Sequence, residues 1–226
     1  MKAVGRSGGR AVGTIAAALC LVTALPPDRL AAQRFTIGLQ FVVADYREVT
    51  GNLHYDGIGF GGAAAFALGK LSGDVAVARL DYEPADGSTA VVQFKATQFD
   101  ARVRYYLASY VSLEAGVTTR KADPEFEAQS LGAVRVGARM SYPIGPAARI
   151  ALRGNYLAAA KFSGGGSAPI GIELGLAVSG DLLRSRLRLG ADYEFQRLDR
   201  KTDDGSGAVD VPIQQSLVRL GAAVAF

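Results

Sequence analysis

The amino-acid sequence predicts an all-β fold, an antiparallel up-and-down transmembrane β-barrel of about ten strands, with about eight or twelve as the neighbouring even counts. Three observations predict it. Apolar and polar residues alternate with period two along most of the 226-residue chain. The connections between these segments are by turns long and short. After the N-terminal region, no stretch stays apolar long enough to cross a bilayer as a helix.

The N-terminal region reads as an export address. Lys2, Arg6 and Arg10 precede an uncharged run from Ala11 to Leu25, and Leu30-Ala31-Ala32-Gln33 follows as a small-residue cleavage region. The expected organisation is a signal peptide over 1–33, cut after Ala32 or Gln33, and a barrel domain over 34–226. Cys20 is preceded by Leu19, where a lipobox would carry a small residue, so lipidation is not expected. Residues 1–33 hold Lys2, Arg6, Arg10 and Arg29 against Asp28, so removing them lowers the net charge from +4 to +1. The basic balance thus belongs largely to the signal, and no nucleic-acid partner is expected. The only cysteine leaves with it, which suits an oxidising compartment.

Strands are expected at 35–46, 58–68, 74–82, 91–107, 110–120, 130–142, 147–159, 170–180, 184–197 and 213–226. The first places Phe35, Ile37, Leu39, Phe41 and Val43 on one face and Thr36, Gly38, Gln40 and Ala44 on the other. Connections at 47–57, 83–90, 121–129, 160–169 and 198–212 are long and polar, whereas 69–73, 108–109, 143–146 and 181–183 are short. Long loops on one rim and tight turns on the other suit a barrel with extracellular loops and periplasmic termini. The fourth strand has a conflict of phase. Val92 and Phe94 fall on one face and Phe99, Ala101, Val103, Tyr105 and Leu107 on the other, which calls for a bulge or an extension beyond the bilayer.

Periodicity alone does not separate this barrel from a soluble lipocalin-like one, whose apolar face points inward. Three features favour lipid outside. Phe35, Phe66, Tyr105, Tyr142 and Phe226 gather at the short-turn end of the apolar face, and Phe60, Tyr82, Phe99, Tyr156, Tyr193 and Phe195 near the long-loop end, as two interfacial girdles. The polar faces carry arginine beside carboxylate. The later apolar faces, such as Ile170, Ile172, Leu174, Leu176 and Val178, are free of charge, as expected where mid-bilayer Arg or Lys costs about 2–4 kcal/mol.

The last segment ends Arg219-Leu220-Gly221-Ala222-Ala223-Val224-Ala225-Phe226. It resembles the C-terminal β-signal of Gram-negative outer-membrane proteins, in which a polar residue, a glycine, a hydrophobic residue and a final aromatic recur at the spacing of Arg219, Gly221, Val224 and Phe226. Val224 stands where many members have an aromatic. The architecture as a whole resembles the small OmpA-like barrel superfamily. The resemblance implies recognition by the barrel assembly machinery, residence in the outer membrane, and contact with its lipids and lipopolysaccharide.

The chemistry-bearing residues gather on the polar faces. Arg79, Arg102, Arg104, Arg135 and Arg139 are expected in the lumen, with Arg149, Arg153, Arg186, Arg188 and Arg219. Their expected partners are Asp81, Asp100, Glu114, Glu173, Asp192 and Glu194. Planar guanidinium groups suit crowded carboxylate networks, and the lysines Lys70, Lys121, Lys161 and Lys201 fall in turns or loops instead. Such a lumen is either an ion-paired filling or a narrow anion-preferring, porin-like pore.

Enzyme chemistry is not expected. His54, the only histidine, lies near Asp56, and with Asp203 and Asp204 it is similar in composition to the Asp–His and paired-aspartate site of the omptin proteases. A serine hydrolase would need His54 as its base, and no Gly-x-Ser-x-Gly elbow is present. Ser163-Gly164-Gly165-Gly166-Ser167 has no following Lys-Ser or Lys-Thr and reads as a flexible loop. No cofactor and no metal site are expected. The acids Asp203, Asp204 and Asp210 do not have EF-hand spacing. The expected function is therefore a structural or surface-interaction barrel, then a narrow channel, then an outer-membrane hydrolase.

Overall fold

In the computed structural model, residues 34–182, 186–203 and 208–226 are described. The expected signal peptide, 1–33, and Asp204 lie outside them. The chain forms ten strands in sequence order: β1 Arg34–Glu48, β2 Leu53–Leu68, β3 Leu71–Pro84, β4 Phe94–Ala108, β5 Val111–Ala122, β6 Leu131–Pro143, β7 Ala148–Phe162, β8 Ser167–Leu182, β9 Leu187–Asp203 and β10 Ala208–Ala225. A short 3-10 segment, Pro124–Gln129, lies between β5 and β6. Each strand pairs antiparallel with its sequence neighbour, and β1 pairs with β10, so the sheet closes into an up-and-down barrel. At the seam the rings of Phe35 and Phe226 lie 6.4 Å apart, and the two residues exchange backbone hydrogen bonds.

The odd residues of β1 from Phe35 to Val43 face outward and the even ones inward, and the registers carry this level around the barrel. The result is an outward belt of Ile, Leu, Val, Phe, Tyr, Met, Ala and Gly. Among the described residues, no belt position between Val43, Val77, Phe99, Phe195 and Val218 at the top and the short turns at the bottom carries a charge. Leu39 is 78% exposed and Phe60 70%, far beyond what a water-facing wall would tolerate in such numbers. No helix among the described residues is long and apolar enough to cross a membrane, and the strands carry the crossing instead.

At the short-turn end, Gly69 makes the β2–β3 turn with φ of +57°, a conformation that strains a side chain with a Cβ. At the other end the strands run well past the belt. The connections expected to be long shrink to 49–52, 163–166 and 204–207, while 85–93 and 123–130 remain longer. The extensions are strand because they have something to pack around.

The phase conflict in the fourth strand resolves in the same place. Phe94 is buried and points inward with Asp100 and Arg102, whereas Val92 precedes the strand. The extension, not a mid-strand bulge, accounts for it. In β7 a true irregularity appears: Ala159 has φ of +51°, the register with β8 is interrupted there, and Leu157, Ala160 and Phe162 all point inward.

Candidate functional site in the barrel interior

The interior has three levels. The upper level, enclosed by the strand extensions above the belt, is apolar. Tyr46, Tyr55, Tyr82 and Phe94 converge from four strands, with the Tyr82 and Phe94 rings stacked at 4.7 Å and Phe126 of the 3-10 segment stacked on Phe94 at 4.8 Å. Below them Leu80, Leu157, Leu198, Ile213 and Leu217 are almost completely buried. Among their polar neighbours, Arg120 lies 4.4 Å over the Tyr46 ring and donates to Gln215 Oε1 (2.9 Å), and Gln215 Nε2 donates to the Tyr82 hydroxyl (3.1 Å). Burial raises the Tyr46 hydroxyl well above the usual tyrosine range, so it stays neutral.

The middle level is ionic. Glu194, with no exposed surface, meets Arg102, Arg153 at 2.8 Å and Arg219 at 3.0 Å. Asp100 bridges Arg135 and Arg219 (3.0 Å for the latter). Glu173 accepts from Arg153 Nε (3.2 Å) and from Asn155 Nδ2 (2.9 Å), and Glu114 accepts from Arg104 Nε at 2.7 Å. Asp74 contacts both Arg102 and Arg104. The inward face of Gly175 makes room for this layer, since a Cβ there would run into the Arg153 guanidinium. Between the two levels, the gap bordered by Leu80, Gln98, Asp100 and Leu217 has no space for a water molecule.

The third level is an open vestibule at the short-turn end, with cavities of about 240 Å³ and 300 Å³. Arg139 and Arg149 line both, and Arg188, paired with Asp181 at 2.7 Å, sits at the rim.

Of the expected lumen residues, Arg102, Arg104, Arg135, Arg139, Arg149, Arg153, Arg188 and Arg219 point inward, as do Asp100, Glu114, Glu173, Asp192 and Glu194. Three do not belong there. Arg79 and Asp81 face outward above the belt, paired with Asp123 (2.9 Å) and Lys95 (3.2 Å). Arg186 is an exposed turn residue whose carbonyl receives the Ala225 N–H. Conversely Tyr82, expected in the outer girdle, is wholly buried inside. Asp74 also points inward, outside the expected set, in phase with Tyr82 along β3. Of the terminal motif, Arg219 belongs to the ionic layer and Gly221 faces the vestibule, while Val224 and Phe226 are exposed on the outside.

His54 lies on β2, not in a loop, and faces outward above the belt. Its Nε2 is 2.9 Å from Asp45 and 3.7 Å from Asp56, so three donor groups lie within 4.8 Å of one another. Arg47 donates to both Asp45 oxygens, at 3.0 Å for each closest contact. Burial raises the Asp45 carboxyl, but the bonds from Arg47 and His54 outweigh it and hold the group below its usual range. Asp203 lies in β9 and Asp210 in β10, not in a loop.

A closed ten-strand barrel with a charge-free apolar belt and an ion-paired interior is a membrane β-barrel of the outer-membrane type. No family model matches the chain, and no curated protein does. Among solved structures, the outer-membrane protease OmpT of Escherichia coli is 10% identical over 90% of this chain and 100% of its own, with a TM-score of 0.47. An outer-membrane channel of Pseudomonas putida F1 is 10% identical over 89% of this chain and 99% of its own, also at 0.47. Neisserial surface protein A is 13% identical over 85% of this chain and 97% of its own, at 0.40. Likeness at this level carries no argument about what the barrel does.

Proposed function

We propose that this protein is a sealed outer-membrane barrel that acts through its surface and does not conduct. The observation that carries the reading is the apolar upper level, which fills the lumen above an ionic layer, the gap between them at Leu80, Gln98, Asp100 and Leu217 having no space for a water molecule. An ion entering from the vestibule would have to break a network of buried pairs and then cross an apolar core. The narrow anion-preferring channel is the second reading, favoured by the arginines of the vestibule, and it requires the aromatic cluster to open. Recording from purified protein in planar bilayers tests the choice: the sealed barrel gives no unitary conductance, and a steady conductance overturns it.

In this reading the long-loop end is extracellular and the short turns and strand termini are periplasmic. The outer face just above the belt carries Arg47, Arg79, Lys95 and Arg197, paired with Asp45, Asp123, Asp81 and Asp199, together with Lys121, at the height where lipopolysaccharide phosphates would lie. Lys121 is exposed and makes no ion pair among the described residues. The Arg219–Phe226 segment would serve as the assembly signal of an OmpA-like barrel and would be read by the barrel assembly machinery. No catalytic role is assigned. His54 stands on the outer wall with Asp45 and Asp56, and the nearby Ser88 hydroxyl accepts a hydrogen bond from the His54 backbone N–H at 2.9 Å. A His54→Ala variant is expected to behave as the parent in protease and lipase assays.

A further inference from the structure

We propose that the short-turn vestibule is a binding site for a small, doubly charged, phosphate-type oxyanion. This goes beyond the sealed-barrel reading and does not depend on it, because the vestibule is open at its own end whether or not the upper level closes the lumen.

Charge is unevenly spread inside the barrel. Arg104 is paired with Asp74 and Glu114, and Arg188 with Asp181. Arg139 and Arg149 make no ion pair among the described residues, and both line the cavity of about 300 Å³. The two guanidinium groups, neither within ion-pair distance of a carboxylate among the described residues, match a dianion in charge and offer planar, multidentate donors.

The second observation is independent of charge. Ser72 is 93% buried (7% exposed), lines the same cavity, and its Oγ has no hydrogen-bond partner. A buried hydroxyl left unpaired is costly, and a ligand oxygen would satisfy it. Ser141 and Ser179 line the cavity from β6 and β8, so hydroxyl donors approach from three sides. A tetrahedral oxyanion presents oxygens in several directions and can take two guanidiniums and a hydroxyl together, whereas a planar carboxylate offers two oxygens in one plane. The volume sits at the lower end of small-molecule sites, about 300–1,000 Å³, which limits the ligand to inorganic phosphate or a small phosphate ester.

The same phosphate chemistry is found in free solutes and in lipid headgroups, and the test separates them. Folded protein in a phosphate-free, uncharged detergent is titrated calorimetrically with inorganic phosphate and, in parallel, with dihexanoyl phosphatidate, against sodium chloride at equal ionic strength. Saturable binding of one phosphate per barrel is expected. A stronger response to the inorganic ion marks a soluble ligand, and a stronger response to the phosphatidate marks a headgroup. The Arg139→Ala/Arg149→Ala double variant is expected to weaken binding by tenfold or more, Ser72→Ala by several-fold, and Arg79→Ala on the outer wall not at all. Because Arg139 and Arg149 lie outside the ion-pair network, removing them strands no carboxylate, and retained heat-modifiable gel mobility verifies the fold. Heats indistinguishable from chloride for both phosphates, or unchanged affinity in the double variant, overturn the proposal.

Discussion

The two ends of the barrel interior are filled by opposite chemistries, and the outer wall changes in step with them. Within the belt, lipid is outside and charge is inside. Above it, Asp45, Arg47, Arg79, Asp81, Arg197 and Asp199 stand on the outer wall, while tyrosine, phenylalanine and leucine fill the interior. Along β3 the inward series runs Asp74, Ala76, Ala78, Leu80, Tyr82 and the outward series Val75, Val77, Arg79, Asp81, Glu83. Strand geometry is unbroken and the alternation continues, yet the two faces exchange polarity at the membrane boundary. The same sheet is a membrane barrel below that line and a soluble barrel with an apolar core above it. Each residue is sorted by the solvent that its side of the wall meets.

This contrast can be broken from either side, and the ionic level should give the largest effect. Glu194→Gln leaves Arg102, Arg153 and Arg219 short of a buried partner and is expected to cost about 3–5 kcal/mol, read from urea unfolding in detergent or lipid. Leu80→Ala in the upper level is expected to cost about 2–5 kcal/mol and to introduce intermittent conductance, a gain that Glu194→Gln should not reproduce while the aromatic cluster stays closed. The outer wall of β9 compares the two solvents directly. Leu189→Arg, in the belt, should cost about 2–4 kcal/mol, whereas Arg197 already occupies the same face higher up, and replacing it should change stability by about 1 kcal/mol or less. The smallest effect belongs to pH. Asp45 is held below its ordinary pKa of 3.8 by Arg47 and His54, so its contribution is complete above that value and fades as pH falls below it. Midpoints measured across that range should drop less in Asp45→Asn than in the parent.

Much of this architecture is legible in the sequence because period-two alternation survives the whole length of each strand. The strand number, the outward belt and most of the inward arginines follow from it. The misplacements share one physical origin, which is that a residue's polarity reports its side of the wall only if the solvent outside is known. Arg79 and Asp81 look like lumen residues and Tyr82 like a girdle residue under the rule that holds within lipid, and all three sit above the line where the rule reverses. The ends of β2, β9 and β10 read as loop for the same reason, since their polar residues, such as Asp56, Asp199 and Asp210, belong to a water-facing outer wall. A sequence signal for the boundary does exist. Tyr46, Phe94 and Leu198 are apolar residues in phase with Gln40, Asp100 and Glu194 on their own strands, so the polar face of each strand turns apolar toward the long-loop end.

The β1–β10 seam has a consequence for how the molecule comes into being. Its ladder runs from Thr36–Ala225 to Glu48–Ile213, joining the two ends of the chain across nearly the full height of the wall. Until that ladder forms, β1 and β10 each present an open row of amide and carbonyl groups to hydrocarbon, at several kcal/mol for every unsatisfied group. A barrel short of its final strand is therefore not a smaller version of the same object but one with two raw edges, and assembly is gated by the arrival of the last eighteen residues of strand. The chain must hold its beginning in waiting for its end, which makes insertion an all-or-none event and gives any factor that guides β10 onto β1 control over the whole process.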